Sequence, residues 1–169
     1  PLRQRDQLPV DARVSLWEVG NELYLPGNPG DQQIITITPE VYAQRFLEFS
    51  AAMRAVDPRI RLMAIATANA SSVTLPYPDW TEKLLQRAAP QIDILALHNA
   101  YFPFLYQNFE TPAADVYKAL FAAPDAVADS LRNLDQLVEK YEGTRHIEYA
   151  ITEWGSLFSA ERLWVDHVK

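Results

Sequence analysis

Two glutamates in this sequence stand at the ends of short apolar segments. Glu22 follows an apolar segment that opens into Gly20 and Asn21, and Glu153 closes the apolar segment 147–152. A carboxylate in such a position is costly unless it is solvated, hydrogen-bonded or functional. Two carboxyl groups can break an acetal bond when one gives its proton to the leaving oxygen and the other, ionised, attacks the carbon. The two glutamates are therefore candidates for an acid pair, which in a retaining reaction lies about 5–5.5 Å apart.

Four further side chains accompany these acids. Asn21 precedes Glu22, Trp154 follows Glu153, and His98 and Tyr101 come after the apolar segment 92–97. An amide, an imidazole and a phenol can hydrogen-bond a sugar hydroxyl or the nucleophile, and an indole can cover a sugar ring, so we predict that all four bind substrate. Other aromatic residues that could furnish apolar faces for sugar rings are Tyr24, Tyr77, Trp80, Phe102, Phe104, Tyr106 and Phe109.

Each of these residues also has a structural interpretation. Asn21 is a residue type common in turns and caps, His98 could fix a loop, and Tyr101 and the aromatic residues after it could pack in the core. Glu18 and Glu148 lie inside predicted strands, where we expect them to pair with a cation or to face the helices. We expect no cofactor and no metal site, because the three histidines lie on different elements.

Four short aliphatic segments that could carry these residues lie far apart in the chain, at 13–17, 60–66, 92–97 and 147–152. They are typical of fully buried strands. Helical segments between them indicate parallel β/α units with right-handed crossovers, an α/β fold. The polar residues Glu22, Asn69, His98 and Glu153 follow the four strands in turn, as they do at the rim of a barrel active site. We predict half of an eight-stranded barrel.

The helices are predicted from capping residues and spacing. Thr38-Pro39-Glu40 is typical of a helix start, Asp79 is expected to cap the second helix, and two helices are expected from Thr111 and from Pro124. Residues 101–109 are predicted as an aromatic loop, and Leu157, Leu163 and Val165 indicate a last helix. The predicted core stripe of the first helix is Tyr42, Phe46, Phe49, Met53 and Val56.

Three motifs follow one another along the chain. An Asn-Glu pair follows the first predicted strand, a His and a Tyr come after the third, and Thr-Glu-Trp-Gly ends the fourth. This arrangement resembles glycoside hydrolase clan A. Within the clan, segments 17–22 and 92–98 are most similar to the α-L-arabinofuranosidase-type families. The resemblance implies strands four to seven of a (β/α)8 barrel. It also implies that Glu22 is the acid/base, that Asn21 contacts the sugar 2-hydroxyl, and that Glu153 is the nucleophile.

By this resemblance, residues 1–169 are one domain, the C-terminal-half portion of a glycoside hydrolase catalytic domain. It would cleave plant-type or microbial polysaccharides or oligosaccharides by double displacement. The alternative is a non-catalytic carbohydrate-binding or structural half-barrel. Either needs the rest of the barrel or self-association, since missing strands leave sheet edges unpaired and apolar surface uncovered. A doubly wound nucleotide-binding domain is disfavoured, because no Gly-rich phosphate loop follows any strand.

Composition narrows the class of partner. The net charge of −7 and the absence of a basic patch argue against nucleic acid and anionic membranes. The sequence has no cysteine, which excludes disulfides and thiolate metal sites and leaves localisation open. The opening segment 1–13 is polar and lacks the apolar stretch of a signal peptide. We therefore expect that the chain starts inside a longer protein.

Overall fold

The computed structural model describes residues 5–7, 13–25, 37–68, 75–98, 100–106 and 111–159. The regular elements in these ranges are β1 (Leu16–Val19), α1 (Pro39–Val56), β2 (Arg61–Ala66), α2 (Trp80–Ala88), a 3₁₀ turn (Ala89–Gln91), β3 (Ile94–Leu97), β4 (Ala100–Tyr106), α3 (Ala113–Val138), β5 (Glu148–Ile151) and β6 (Trp154–Ser159). No helix within these ranges is both long and apolar enough to cross a bilayer.

Four of the strands form one parallel sheet in the order β1-β2-β3-β5. The helices that join these strands pack on one face of the sheet, where Leu62, Leu95 and Ile147 are fully buried together with the apolar side of α1 and α2. This is part of a (β/α)8 barrel. The four strands predicted from the sequence are confirmed, with β1 shifted towards its C-terminal end.

The second sheet was not predicted. Strands β4 and β6 pair in parallel beyond the ends of β3 and β5. The predicted aromatic loop is therefore wrong for residues 101–106, and so is the predicted helix at Leu157, because both segments satisfy their backbone groups by pairing with each other. Asn69, Phe109, Leu163 and Val165 lie outside the described residues.

Helix α3 is continuous where the sequence predicted two helices. Pro124 lies inside it. A proline removes one N–H and strains the preceding turn, but it can be accommodated in a helix as a kink. Alanines on both sides of Pro124, at 122, 123 and 126, have the highest helix propensity of any residue. These flanking residues favour a continuous helix.

Helix α1 begins and ends as predicted. The Thr38 side chain accepts a hydrogen bond from the Val41 N–H at 3.3 Å, and the helix stops at Val56, before Asp57-Pro58. Its predicted core stripe is correct for Tyr42 and Phe46 but wrong for Phe49 and Val56, which are exposed. Phe49 lies beside a cavity of about 320 Å³ between α1 and β1, a space that no residue of the described part fills.

Helix α2 is fastened to the C-terminal end of β2. The Trp80 indole donates to the Ile65 carbonyl at 2.9 Å, and the Thr81 hydroxyl donates to the Thr67 carbonyl at 2.8 Å. The predicted side-chain cap from Asp79 is not formed, since Asp79 forms an ion pair with Lys83 at 3.2 Å. Two buried side chains thus anchor the helix start in place of the cap.

Asp93 joins three elements at the opposite end of the sheet. One carboxylate oxygen accepts hydrogen bonds from the Leu62 N–H at 2.8 Å and from Arg54 at 2.7 Å, and the other accepts one from Arg145. Burial by itself would raise the pKa of Asp93, but the Leu62 N–H and the two guanidinium groups outweigh it and hold that pKa below its ordinary value.

We predict that Asp93→Asn lowers the free energy of unfolding at pH 7 by about 1–3 kcal/mol, because three donors lose a charged acceptor. The folded-state pKa is depressed, so the stabilisation is present above the ordinary aspartate value of 3.8 and is lost as the pH falls through the lower folded value. Urea unfolding should therefore give a smaller difference at pH 3. Asp115→Asn, which removes an exposed pair with Lys118, is the control and should change nothing measurable.

Candidate active site

Three of the predicted site residues meet at the C-terminal ends of β1, β3 and β5. Glu22 lies three residues after β1, His98 directly follows β3, and Glu153 lies two residues after β5. One carboxylate oxygen of each glutamate and a ring nitrogen of His98 all lie within 4.8 Å of one another. Parallel strands bring their carboxyl ends to one edge, and that edge holds this cluster.

His98 is the buried centre of the cluster. Its side chain is 2% exposed, and its Nδ1 lies 3.5 Å from an oxygen of Glu22 and 3.5 Å from an oxygen of Glu153. The side chains of the two glutamates are 29% and 42% exposed. The imidazole therefore forms the floor of the site, and the two acids reach from it towards solvent.

The strand pairing explains why His98 and Glu153 are neighbours. Leu97 pairs with Ile151, and Ala100 pairs with Trp154, so β4 and β6 continue the register of β3 and β5. The ladder is interrupted between these pairs, and the last bond before the interruption runs from the Thr152 N–H to the Leu97 carbonyl at 3.1 Å. His98 and Glu153 both lie in this interruption.

Glu22 is placed by an unusual backbone. Gly20 has φ +101° and Glu22 has φ +45°, both in the left-handed region. A non-glycine residue in that region is costly, and such strained residues cluster at active sites. The Glu22 carbonyl accepts a hydrogen bond from the Leu25 N–H at 2.9 Å, which closes a turn. The chain thus leaves β1 sharply and presents the Glu22 carboxylate to His98.

Tyr42 of α1 holds the end of β1 in place. Its hydroxyl donates to the Val19 carbonyl at 2.9 Å and accepts from the Ile65 N–H at 2.8 Å. Burial raises the pKa of Tyr42, so the hydroxyl stays protonated and keeps donating. A single side chain therefore connects β1 to β2 directly before the turn that carries Glu22.

The other predicted substrate-binding residues lie next to the cluster in the sequence or in the strand ladder. Asn21 is exposed beside Glu22, and Trp154 is 74% exposed beside Glu153. The backbone of Tyr101 pairs with Gly155, and its side chain lies outside the described part. Tyr24 and Trp80 are buried against each other with ring centres 6.0 Å apart, so their predicted role as sugar platforms is wrong. Their rings belong to the core.

The sequence analysis missed Glu18. It predicted a structural role for Glu18 and Glu148, which is confirmed for Glu148, whose carboxylate pairs with Arg61 at 2.6 Å. An oxygen of Glu18 instead lies 3.0 Å from Nε2 of His98. The two-residue period of a strand puts Glu18 on the same face as Gly20, a signal that could have directed it to the site.

The cluster also has the composition of a cation site. Glu22, His98 and Glu153 offer two carboxylate oxygens and one imidazole nitrogen. These are ligand atoms that bind divalent metals. The prediction of no metal site rests on the three histidines, which lie on different elements, and leaves these glutamates out of consideration. Acid-pair chemistry requires the same three groups, and in it the two glutamates are the reactive members.

The fold and the cluster together define a partial (β/α)8 barrel with an acid pair at its rim. No family model matches the chain. The chain is similar to the intracellular exo-alpha-(1->5)-L-arabinofuranosidases of Bifidobacterium longum, at 26% identity over 89% of this chain and 25% of that protein, and of Acetivibrio thermocellus, at 25% identity over 83% and 26%. It is 31% identical to a Bacillus subtilis enzyme of that type over 52% of this chain and 16% of that enzyme.

Solved structures show the same fold. The alpha-L-arabinofuranosidase from Thermotoga maritima superposes with a TM-score of 0.67 at 22% identity, over 95% of this chain and 29% of that one. The family 51 enzyme from Thermotoga petrophila gives 0.60 at 21% identity, with the same coverage. These similarities confirm the resemblance to arabinofuranosidase-type glycoside hydrolases of clan A. The chain spans between a quarter and a third of the length of these two proteins.

We predict that Gly20→Ala disrupts the site. A Cβ at this position would lie 2.8 Å from Cδ1 of Ile65 and 3.1 Å from Cδ1 of Leu23, at a φ that disfavours any L side chain. We expect a loss of about 2–4 kcal/mol in the free energy of unfolding, from strain and overpacking together, measured by urea unfolding. Gly143→Ala is the matched control, because its φ is +64° but nothing lies within 4 Å of the added Cβ. A loss no larger than that of the control would contradict the close approach of Ile65.

Proposed function

We propose that this chain is part of a retaining glycoside hydrolase in which Glu22 and Glu153 are the two catalytic acids. The observation that carries the proposal is their separation, since an oxygen of each lies within 4.8 Å of the other. Retaining enzymes hold their carboxyl groups about 5–5.5 Å apart, whereas inverting enzymes leave about 6.5–9.5 Å for a water molecule. The close approach of one oxygen of each glutamate supports direct attack by a carboxylate over attack by water.

In the first step Glu22 gives its proton to the glycosidic oxygen, the bond from that oxygen to the anomeric carbon breaks, and Glu153 bonds to the carbon. In the second step Glu22 takes a proton from water, the water oxygen bonds to the anomeric carbon, and the Glu153 ester breaks. The resemblance to clan A supports this assignment of roles. His98 contacts both acids and can hydrogen-bond whichever carboxyl group changes its charge.

We propose an α-L-arabinofuranoside as the substrate, carried by plant-type or microbial oligosaccharides. The similar proteins named above are arabinofuranosidases, which supports this choice. The exposed indole of Trp154 beside the nucleophile is suited to covering an apolar face of the sugar. We assign Asn21 to the sugar 2-hydroxyl, as the resemblance implies, and we assign Tyr101 to a sugar hydroxyl or to the nucleophile, either of which its phenol could hydrogen-bond.

Glu153→Gln in the complete enzyme should lower kcat at least about 10³-fold, because an amide cannot form the glycosyl-enzyme. Glu22→Gln should lower kcat by about 10²–10⁴-fold on unactivated arabinofuranosides and by much less on aryl substrates, whose leaving groups need no proton. Initial rates on both substrate types measure this. Glu148→Gln, which removes a glutamate paired with Arg61 away from the site, is the control. Full activity of Glu153→Gln would contradict the assignment of Glu153 as the nucleophile.

We further propose that residues 1–169 are one domain, the C-terminal-half portion of the barrel, completed by the remaining strands or by a second copy. In the described part β1 and β5 are the outermost strands of the sheet. Trp17 and Phe49 are exposed and line the cavity of about 320 Å³ beside β1. Open strand edges and exposed apolar surface both favour association.

Sedimentation of residues 1–169 alone tests this proposal. We expect dimers or larger species at micromolar concentration, and a one-to-one complex in their place when the remaining strands are supplied as a second chain, because self-association and that chain would cover the same surface. Leu16→Lys, at an exposed position on β1, should weaken the association, and Val56→Lys, exposed at the far end of α1, should not. A folded monomer throughout would contradict the proposal.

A further inference from the structure

Glu18 and His98 form a buried contact to which the two-acid mechanism gives no role. An oxygen of Glu18 lies 3.0 Å from Nε2 of His98, on the opposite side of the ring from Glu22 and Glu153. The oxygen of Glu18 and both ring nitrogens are buried, and none makes an aligned hydrogen bond to another residue of the described part. Burying a carboxylate and an imidazole is costly, so their juxtaposition needs a cause.

The sheet makes this contact possible. Glu18 lies on β1 and His98 follows β3, with β2 between them. The two strands are therefore about 10 Å apart, a distance that a glutamate and a histidine can cross only if they extend towards each other over β2. A shorter acid at position 18 could not reach the ring as closely, and a glutamate one residue along the strand would face the helices.

We propose that Glu18 is a positioning residue, which holds the imidazole of His98 so that Nδ1 faces Glu22 and Glu153. The inference rests on the proposed function and extends it to a residue outside the acid pair. In the charged ring, and in the neutral tautomer with its proton on Nε2, this nitrogen can donate to Glu18 and leaves Nδ1 to the two acids. Such bonds are often poorly aligned in free enzymes and tighten when substrate binds.

The ring orientation supports this assignment. A ring turned over by 180° would put carbon atoms in place of Nε2 and Nδ1 and would lose its contacts with Glu18, Glu22 and Glu153 together. The observed orientation places a nitrogen against a carboxylate on both sides. Glu148 occupies the matching row of the sheet, through Met63 and Ile94, but pairs with Arg61. The two in-strand glutamates therefore differ in their partners, and only Glu18 contacts the site.

A double-mutant cycle in the complete enzyme tests the proposal. We expect Glu18→Gln to lower kcat by about 10–100-fold, the usual effect of losing a residue that orients a site histidine, with KM changed less than about threefold. In a His98→Ala background Glu18→Gln should have no further effect on kcat, because it acts through the ring. Glu18→Asp should lower kcat as well, because the shorter side chain could not reach the ring as closely, and Glu148→Gln should match the wild type.

An unchanged kcat in folded Glu18→Gln, or an equal loss with and without His98, would overturn the proposal. If Glu18→Gln does not fold, the same cycle with Glu18→Asp decides between the two results. Glu153→Gln is measured in parallel. If it stays active, the proposed function fails, whereas an inactive Glu153→Gln together with wild-type kcat in Glu18→Gln overturns only the role of Glu18.

Discussion

The site depends on one buried imidazole surrounded by carboxylates. Ionised glutamates that converge without a polar group between them repel one another. His98 lies between them here, with Glu18 on one side of the ring and Glu22 and Glu153 on the other. The rest of the described fold serves to bring these four side chains, which are distant in sequence, to one edge of a parallel sheet.

Each element contributes a specific constraint to that convergence. Tyr42 links the end of β1 to β2 through its hydroxyl. Gly20 allows the chain to turn, because its positive φ and the nearness of Ile65 both disfavour a side chain at this position. The interruption between the two parallel strand pairs leaves His98 and Glu153 outside the ladder. At the opposite edge Asp93 binds two arginines and the backbone of β2. Stability and chemistry thus lie at opposite ends of the strands, as in other barrels of this class.

Much of this arrangement could be predicted from the sequence. Buried parallel strands are continuous aliphatic segments, so the four strands of the main sheet and their order could be predicted. The convergence of Glu22, His98 and Glu153 follows from that order. The pairing of β4 with β6 could not be predicted, because parallel pairing depends on a partner about fifty residues away and the aromatic residues of 100–106 are equally typical of a loop. Helix α3 was divided at Pro124 because local rules alone suggest an end there.

The partner of Glu18 could not be predicted for a similar reason. The period of a strand gives the face on which a side chain lies, but the distance across an intervening strand depends on sheet twist and on small side chains in between. Glu148 has the same residue type in the matching row and meets an arginine instead. Local pattern fixes the direction of a side chain, and tertiary structure decides what it meets.

The central claim is that Glu153 bonds to the anomeric carbon, while Glu22 donates a proton in the first step and accepts one in the second. The most direct measurement is to incubate the complete enzyme with a 2-deoxy-2-fluoro-arabinofuranosyl compound carrying a good leaving group, which slows the second step, and to map the labelled peptide by mass spectrometry. The account predicts one added glycosyl group on Glu153 and none in Glu153→Gln. A label on another residue, or no label with release of inverted sugar, would contradict it.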